Sequence, residues 1–135
     1  FSPALNEKAG ALFARLTGGR YAALALTRAF DASATPAGEV LPRSALALSR
    51  GTVEQLYLAV RLAVCQLTLA GEEPPPLVLD DALADFDDGR MELALSLLRE
   101  LGEERQILLF SCHGREADWA LAHGVPVCRL QSAEI

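Results

Sequence analysis

Apolar side chains recur at helical spacing in several parts of this chain. Residues 4–17 carry one stripe of apolar positions, and the glycines that follow it predict the end of a first helix. Two apolar rows run through residues 49–70, so we expect a long second helix that is buried on two sides. A single row over residues 89–101 predicts a third helix, and residues 115–122 are predicted to form a short fourth one.

A β-hairpin is predicted between the first two helices. Residues 21–27 are mostly apolar, which predicts a strand, although alanine is a poor strand former. Residues 31–38 consist of small and turn-forming residues and are predicted to be a loop. We expect a short returning strand near residues 39–41.

Short apolar runs between the later helices predict the strands of a second sheet. They cover residues 77–79, 106–110 and 125–130. The first is apolar throughout, as is typical of a central strand buried on both faces of a parallel sheet. Strands that alternate with helices indicate an α/β fold, with a mostly parallel sheet and flanking helices.

Composition restricts the class of protein. The 135 residues suit one compact domain, and 51% hydrophobic residues are enough for a core. The net charge of −6 leaves no broad basic surface for holding nucleic acid by its phosphates. We expect no membrane partner, because the longest apolar run, residues 56–70, is too short and interrupted to span a bilayer. The chain begins at Phe1 without a secretory signal and inside an amphipathic stretch, so we expect a fragment of a longer protein.

Cysteine usage predicts free thiols in a reducing, cytoplasmic compartment. The three cysteines are an odd number without Cys-x-x-Cys spacing. Cys65 and Cys128 lie in apolar runs, where we expect them to be buried. Two histidines and scattered thiols lack the spacing of a zinc site, so the sequence predicts none.

An acidic pair, Asp80 and Asp81, follows the apolar run at 77–79. Open α/β sheets bind ligands beyond the carboxyl ends of their strands, which is where these carboxylates are expected. In nucleotide hydrolases the first carboxylate at such a position holds Mg²⁺, and the next orients or deprotonates the attacking water. The alternative is a solvated acidic loop in which an aspartate caps a helix.

Two further places in the chain suit phosphate binding. Residues 49–52 open the long helix, where free backbone N–H groups and the helix dipole favour an anion. The alternative is an ordinary helix start with Ser49 as the N-cap. His113 follows an apolar strand and is a candidate donor to phosphate charge, with a loop or capping histidine as the alternative.

A second acidic turn contains Asp85, Asp87 and Asp88. A calcium-binding loop is excluded. If Gly89 is taken as the invariant glycine of such a loop, Ala84 and Phe86 occupy the first two ligand positions, and neither has a side-chain oxygen. We expect Asp88 to cap the helix that follows.

The order and spacing of these segments resemble the C-terminal half of an ABC-type P-loop NTPase head. The resemblance is to the coiled-coil ABC ATPases, SMC and SbcC, and especially to the YhaN-like AAA family proteins. Three stretches carry it, residues 48–63, 77–88 and 107–113, and it spans roughly residues 5–130. It implies a coiled-coil-derived helix over 1–17, a hairpin region over 18–47 and the motif-bearing part over 48–135.

The resemblance implies roles for the residues after the strands. Asp80 is similar to the Walker B carboxylate that holds magnesium, and Asp81 takes the position where most of the family has a catalytic glutamate. His113 is similar to the switch histidine. Asp85 and Asp87 belong to a segment that resembles the D-loop at the dimer seam.

The resemblance also identifies a signature motif, which contacts the γ-phosphate of ATP held by an opposite head. Arg50 departs from the commoner Leu-Ser-Gly-Gly-Gln form by replacing its first glycine. The residues of this motif are Ser49, Arg50, Gly51 and Thr52.

The P-loop pattern is absent from the sequence. Its lysine must follow a glycine-rich run, and the sole lysine, Lys8, lies in the first apolar stripe with no glycine before it. The resemblance therefore implies an N-terminal P-loop lobe as partner, with ATP and Mg²⁺ bound only together with that lobe. It further implies a second head as a homodimer partner, and DNA and a nuclease as partners of the full-length protein in DNA repair or chromosome maintenance.

Two other classes of protein are alternative interpretations of this sequence. A catalytically silent protein–protein interaction module that retains the ABC fold would also lack a P-loop. A phosphoacceptor receiver domain uses an acidic pair after a strand, but it needs a lysine after a late strand, and Lys8 lies at the other end of the chain.

We predict that the isolated chain neither binds ATP tightly nor hydrolyses it, because it lacks the lysine and the backbone cradle of a P-loop. Isothermal titration with Mg-ATP and a phosphate-release assay on the purified chain test this. Stoichiometric, tight binding of ATP would contradict it.

Overall fold

The computed structural model describes residues 3–27 and 31–132. That part of the chain contains four α-helices: α1 (Pro3–Leu16), α2 (Arg50–Thr68), α3 (Asp88–Leu101) and α4 (Gly114–Ala122). Its strands are β1 (Tyr21–Leu26), β2 (Ala32–Pro36), β3 (Arg43–Ser44), β4 (Leu77–Asp80) and β5 (Ile107–Phe110). The α/β class predicted from the sequence is confirmed, with a small antiparallel sheet and a small parallel one.

The antiparallel sheet has the strand order β1-β2-β3. The hairpin is present, but its returning strand was predicted wrongly: residues 32–36 form β2, and residues 39–41 lie in the connection to β3. The small residues that predicted a loop build a strand because Ala32 and Ala34 are buried at alternate positions, as on one face of a sheet. Short side chains suit this strand, whose neighbour β1 packs closely on α1.

The parallel sheet pairs β4 with β5 in register, from Leu77 opposite Ile107 to Asp80 opposite Phe110. Helix α3 forms the crossover between them, as parallel strands require. Residues 125–130 form no strand, so that prediction is wrong. An apolar run becomes a strand only where its backbone pairs with a neighbour, and no ladder includes these residues in the part of the chain described.

Side chains at the helix ends explain where the helices begin. Ser49 is the N-cap of α2 as expected, and its Oγ accepts the N–H of Thr52 at 3.3 Å. The cap of α3 is Asp87 and not Asp88, because the Asp87 carboxylate accepts the N–H of Arg90 at 2.8 Å. Asp88 is the first residue inside that helix, where the positive end of the helix dipole stabilises its negative charge.

The core lies where α1, α2 and α3 meet the two sheets. The C-terminal end of α1 is tied to α2 by Gln55, which is 2% exposed and donates from Nε2 to the carbonyl of Leu16 at 2.7 Å. This bond satisfies one of the carbonyls that a helix end leaves without a partner. The largest fully buried side chains are Phe13, Leu16, Leu56, Leu62, Leu79, Leu83 and Leu97.

Two apolar faces remain exposed. On one of the two apolar rows of α2, Tyr57, Val64 and Leu67 are exposed, so the prediction that α2 is buried on both sides is wrong for these positions, although Leu56 in the same row is fully buried. Val78 is 52% exposed, and Leu108 and Phe110 on β5 are also exposed. The described residues therefore cover only one face of the parallel sheet, unlike the fully buried central strands expected from the sequence.

The cysteine predictions are partly wrong. The three cysteines are free, as expected, but Cys65 is half-buried and Cys128 is exposed. Cys128 was predicted to be buried in a strand over residues 125–130, and because that strand does not form, the residue is exposed. Among the described residues, every helix is too short or too polar to cross a membrane.

We predict that Leu79→Ala lowers the free energy of unfolding by about 2–5 kcal/mol, because Leu79 is fully buried and its removal leaves a cavity. Urea denaturation followed by circular dichroism measures the change. Leu108→Ala on the adjacent strand is the matched control, since the same truncation at an exposed position should cost about 1 kcal/mol or less. Equal losses in the two variants would show that the buried face of the sheet is not where the structure has it.

Candidate functional site

The carboxyl ends of β4 and β5 meet at one edge of the parallel sheet. The pair Asp80–Phe110 is the last in the ladder, and the N–H of Asp81 extends it by donating to the carbonyl of Phe110 at 2.7 Å. Asp81 and the segment Ser111–His113 therefore emerge side by side, although about 30 residues of chain separate them. This edge is where the sequence placed its acidic pair and its histidine.

The two aspartates at this edge have different environments. Asp80 is exposed and lies on the same face of β4 as Val78, the face that nothing in the described chain covers. Asp81 has a φ of 54°, a left-handed conformation that aspartate tolerates better than most residues. This turn directs the second carboxylate away from the strand and toward the end of β5.

The Asp81 carboxylate faces Cys112 and His113. Its oxygens lie 3.8 and 3.9 Å from Cys112 Sγ, and one lies 3.9 Å from His113 Nε2. His113 occupies the N-cap position of α4 without a capping bond from its ring, and its N–H donates to Ser111 Oγ at 3.0 Å. The imidazole is therefore available to Asp81 or to a ligand. Cys112 could not be recognised as part of this group from the sequence, because a lone cysteine carries no spacing signal.

The start of α2 lies apart from this edge in sequence but contacts the acidic turn. Ser49 Oγ is 2.8 Å from Thr52 Oγ1 and caps the helix, so the ordinary N-cap interpretation of Ser49 is confirmed. Ser49 and Arg50 are exposed at the N-terminus of this helix of 19 residues, where the dipole favours an anion. Arg50 lies 3.9 Å from Asp85 through exposed side chains.

Arg90 joins the start of α2 to the start of α3. Its Nε donates to Gln55 Oε1 at 3.2 Å, its Nη2 lies 3.5 Å from Thr52 Oγ1, and its Nη1 pairs with Asp87. The guanidinium lies against Gly51, where an added Cβ would be 2.8 Å from Arg90 Cζ. Glycine at position 51 therefore leaves the space that this arginine occupies.

Sequence reasoning missed Arg90. Its partners on α2 are 35 and 38 residues away in the chain, so no local pattern indicates the contact. Gly51, with the hydroxyl residues Ser49 and Thr52 near it, is the one sign in the sequence that another group approaches the start of α2.

The acidic turn is held on its other side by Arg115. This arginine donates to Asp88 Oδ1 at 3.0 Å and to the carbonyl of Leu83 at 2.9 Å. Its charge also acts on Asp87, together with that of Arg90. Arginines from α3 and α4 thus fix the turn between β4 and α3.

The hydrogen bond from the backbone of Arg90 lowers the pKa of Asp87 below its ordinary value of 3.8, and the charges of Arg90 and Arg115 add to this. A carboxyl whose pKa is lower in the folded state contributes stability at pH values above its unfolded pKa. That contribution is lost as the pH falls through the folded value. At neutral pH Asp87 is therefore ionised, and its carboxylate both caps α3 and pairs with the Arg90 side chain.

Two curated proteins are similar to this chain in sequence. YhaN of Bacillus subtilis (strain 168) is 38% identical over 117 residues, which are 86% of this chain and 12% of YhaN. The DNA replication and repair protein RecF of Synechococcus sp. (strain CC9605) is 42% identical over 67 residues, which are 48% of this chain and 17% of RecF. This chain thus spans a small part of each relative. No protein-family model matches it.

Solved structures of SMC proteins are similar to this chain in fold. The SMC head domain from Thermotoga maritima has a TM-score of 0.67, with 20% identity, over 87% of this chain and 40% of that one. A structure from work on ATP-driven dimerization and DNA-stimulated activation of SMC ATPases has a TM-score of 0.69, with 23% identity, over 84% of this chain and 70% of that one. The Smc head bound to the C-winged helix domain of ScpA has a TM-score of 0.66, with 23% identity, over 85% of this chain and 36% of that one.

We predict that Arg90→Ala lowers the free energy of unfolding by about 1–3 kcal/mol, because it leaves the buried Gln55 Oε1 without its donor. Urea denaturation of the purified chain measures the change. Arg99→Ala, an exposed position on the same helix, is the control and should change stability by about 0.5 kcal/mol or less. Equal effects of the two substitutions would exclude the bridge between α2 and α3.

Proposed function

We propose that this chain, a segment with the fold of an SMC-type ATPase head, is the C-terminal lobe of an ATP-hydrolysing head of the SMC, SbcC and YhaN-like kind. The observation that carries the proposal is the meeting of Asp80, Asp81 and His113 at the carboxyl edge of the parallel strands. Ligands of open α/β sheets bind at this edge. The sequence similarity to YhaN includes most of the chain and supports the same assignment.

The acidic pair suits a magnesium-dependent hydrolysis. Asp80 is exposed at the end of β4, and its carboxylate oxygens are the hard ligands that Mg²⁺ prefers, directly or through water. Asp81 would orient the attacking water and accept its proton, as a general base one methylene shorter than glutamate. His113, whose Nε2 is 3.9 Å from Asp81, would donate to the charge that develops on the γ-phosphate.

The start of α2 would complete the site of a second head. Ser49, Arg50, Gly51 and Thr52 would face the γ-phosphate held by the opposite head, with the dipole of α2 favouring its charge. Asp85 and Asp87 would lie at the seam between the heads. Arg90 contacts Thr52 and Asp87, so the signature segment and the turn at the seam would move as one unit.

The exposed apolar face of the parallel sheet supports an N-terminal lobe with a P-loop as the partner. Val78, Leu108 and Phe110 present apolar side chains on the face of β4 and β5 that also carries Asp80. An apolar surface next to a candidate metal ligand is where a lobe bringing ATP and Mg²⁺ would pack. We propose that neither ATP nor Mg²⁺ is held productively without it.

We further propose that the full-length protein acts in DNA repair or chromosome maintenance, with a second copy of the head, DNA and a nuclease as its partners. One relative is named as a DNA replication and repair protein, which supports this class of task. The net charge of −6 gives this chain no broad surface for DNA, so the contact would lie in other parts of the protein.

The alternative is a catalytically silent interaction module that keeps the ABC fold. The exposed apolar faces of α2 and of the parallel sheet disfavour a stand-alone module of this kind, since such surfaces are costly in water unless a partner covers them. The two functions differ in what co-expression with a P-loop lobe produces: turnover of ATP, or a complex without activity.

We predict that Asp81→Asn in the co-expressed two-lobe head lowers the rate of ATP hydrolysis by about 100-fold or more, because the water loses its base. ATP-bound head dimers should then accumulate, as seen by size-exclusion chromatography with light scattering. Asp118→Asn, at an exposed position on α4, is the matched control and should keep full activity.

We predict a different failure for Ser49→Arg, which places a bulky side chain at the exposed start of α2. Turnover should also be abolished, but the ATP-dependent dimer should not form. Full turnover in either variant would overturn the role proposed for that residue, and no turnover in the unmodified head would favour the silent module.

A further inference from the structure

Three side chains of different chemistry converge beside the sheet edge. A carboxylate oxygen of Asp81, the thiol of Cys112 and a ring nitrogen of His113 all lie within 4.8 Å of one another. The Asp81 and His113 side chains are 40% and 45% exposed, and Cys112 is exposed as well, so an ion has direct access from solvent. The function proposed above uses Asp81 and His113 but gives the thiol no task.

The spacing of these groups fits a small ion at their centre. Zinc bound by sulfur, nitrogen and oxygen at their usual bond lengths holds neighbouring tetrahedral ligands about 3.4–3.6 Å apart. Asp81 Oδ1 lies 3.9 Å from both Cys112 Sγ and His113 Nε2, and Cys112 Sγ lies within 4.8 Å of a ring nitrogen of His113. Binding of the ion would draw these three side chains closer together.

The backbone explains why the groups converge. Cys112 and His113 are neighbours in the chain directly after β5, and the hydrogen bond from Asp81 to Phe110 sets the end of β4 against them. The ligands thus lie in the short segments that follow two paired strand ends. Three protein ligands leave a fourth position for water, as in zinc sites that are open to solvent.

The chemistry of the donors selects against magnesium. Thiolate and imidazole favour zinc and related transition ions, whereas Mg²⁺ prefers carboxylate, phosphate and water oxygens. Binding releases the Cys112 proton to solvent, and the resulting thiolate and the Asp81 carboxylate together balance the ion's two charges. Within residues 3–27 and 31–132, no arginine or lysine forms an ion pair with Asp81 that would compete.

We propose that Asp81, Cys112 and His113 form a Zn²⁺ site that switches the head off. The binding itself does not depend on the function proposed above, but its consequence does. An ion held here takes Asp81 from the attacking water and His113 from the γ-phosphate, while Asp80 remains free for Mg²⁺. Zinc would therefore inhibit turnover without displacing the nucleotide.

Binding is tested on the purified, reduced chain with Co²⁺ as a spectroscopic probe. We expect one equivalent to give the intense visible bands of a tetrahedral ion and a thiolate-to-cobalt charge-transfer band, both removed by added Zn²⁺. Cys112→Ser should abolish the charge-transfer band and weaken Zn²⁺ binding by about 100-fold, since even indirect partners of a metal site are worth 10–100-fold. Cys128→Ser, at another exposed cysteine, is the matched control and should leave the spectrum unchanged.

A spectrum that survives Cys112→Ser, or that is lost equally in Cys128→Ser, would overturn the site. Circular dichroism of each variant shows that a lost spectrum does not reflect unfolding. Asp81→Asn supplies a second test, because removing the carboxylate should weaken Zn²⁺ binding while leaving the charge-transfer band in place at higher Co²⁺ concentration.

Inhibition is tested on the two-lobe head. Zn²⁺ should lower the ATPase rate of the unmodified head, and Cys112→Ser should require at least about tenfold more Zn²⁺ to lower its own zinc-free rate by the same fraction. Zinc that binds without inhibiting would overturn the switch. A head that binds Co²⁺ as expected but never hydrolyses ATP would instead refute the proposed function and leave the metal site standing.

Discussion

The in-register parallel pairing of β4 with β5 is the constraint on which the rest of the site depends. It places the residues after both strands at one edge, so that Asp81 meets Cys112 and His113 across 31 and 32 residues of chain. A slip by one residue would move Leu79 out of the core and reverse the face that carries Asp80. Burial of Leu79 and the position of the acidic pair are therefore set by the same ladder.

A second constraint comes from the side-chain contacts of Arg90, which join the start of α2 to the start of α3. Arg90 spans the two helix starts, and its contacts with Gln55 and Asp87 keep the candidate phosphate-facing tip of α2 next to the acidic turn. Gln55 carries this link on to the end of α1 through its bond to Leu16. The helix entering from the N-terminal side is thus connected, through one buried amide and one guanidinium, to the turn that follows β4.

The structure departs from the sequence-based expectations where the outcome depends on which strands pair and which apolar faces a neighbouring element covers. No local sequence pattern contains this information. Residues 32–36 consist of small residues, yet they form β2 because β1 supplies a partner, whereas the apolar run at 125–130 has none in the described chain and stays irregular. The outer row of α2 and the outer face of β4 have apolar side chains suited to burial, but nothing in residues 3–27 and 31–132 covers them. Whether a segment forms a strand, and whether an apolar face is buried, is therefore decided by the element that lies next to it.

The sequence by itself determined the helices, the two short apolar strands of the parallel pair, the N-cap at Ser49 and the presence of an acidic pair after β4, because periodicity and capping are local properties. It also excluded a P-loop. Only the tertiary structure decided that Arg90 fills the space over Gly51 and that Cys112 lies beside Asp81 and His113. The physical reason is distance along the chain: these groups are brought within a few ångströms by strand pairing and helix packing, and residue spacing in the sequence carries no record of either.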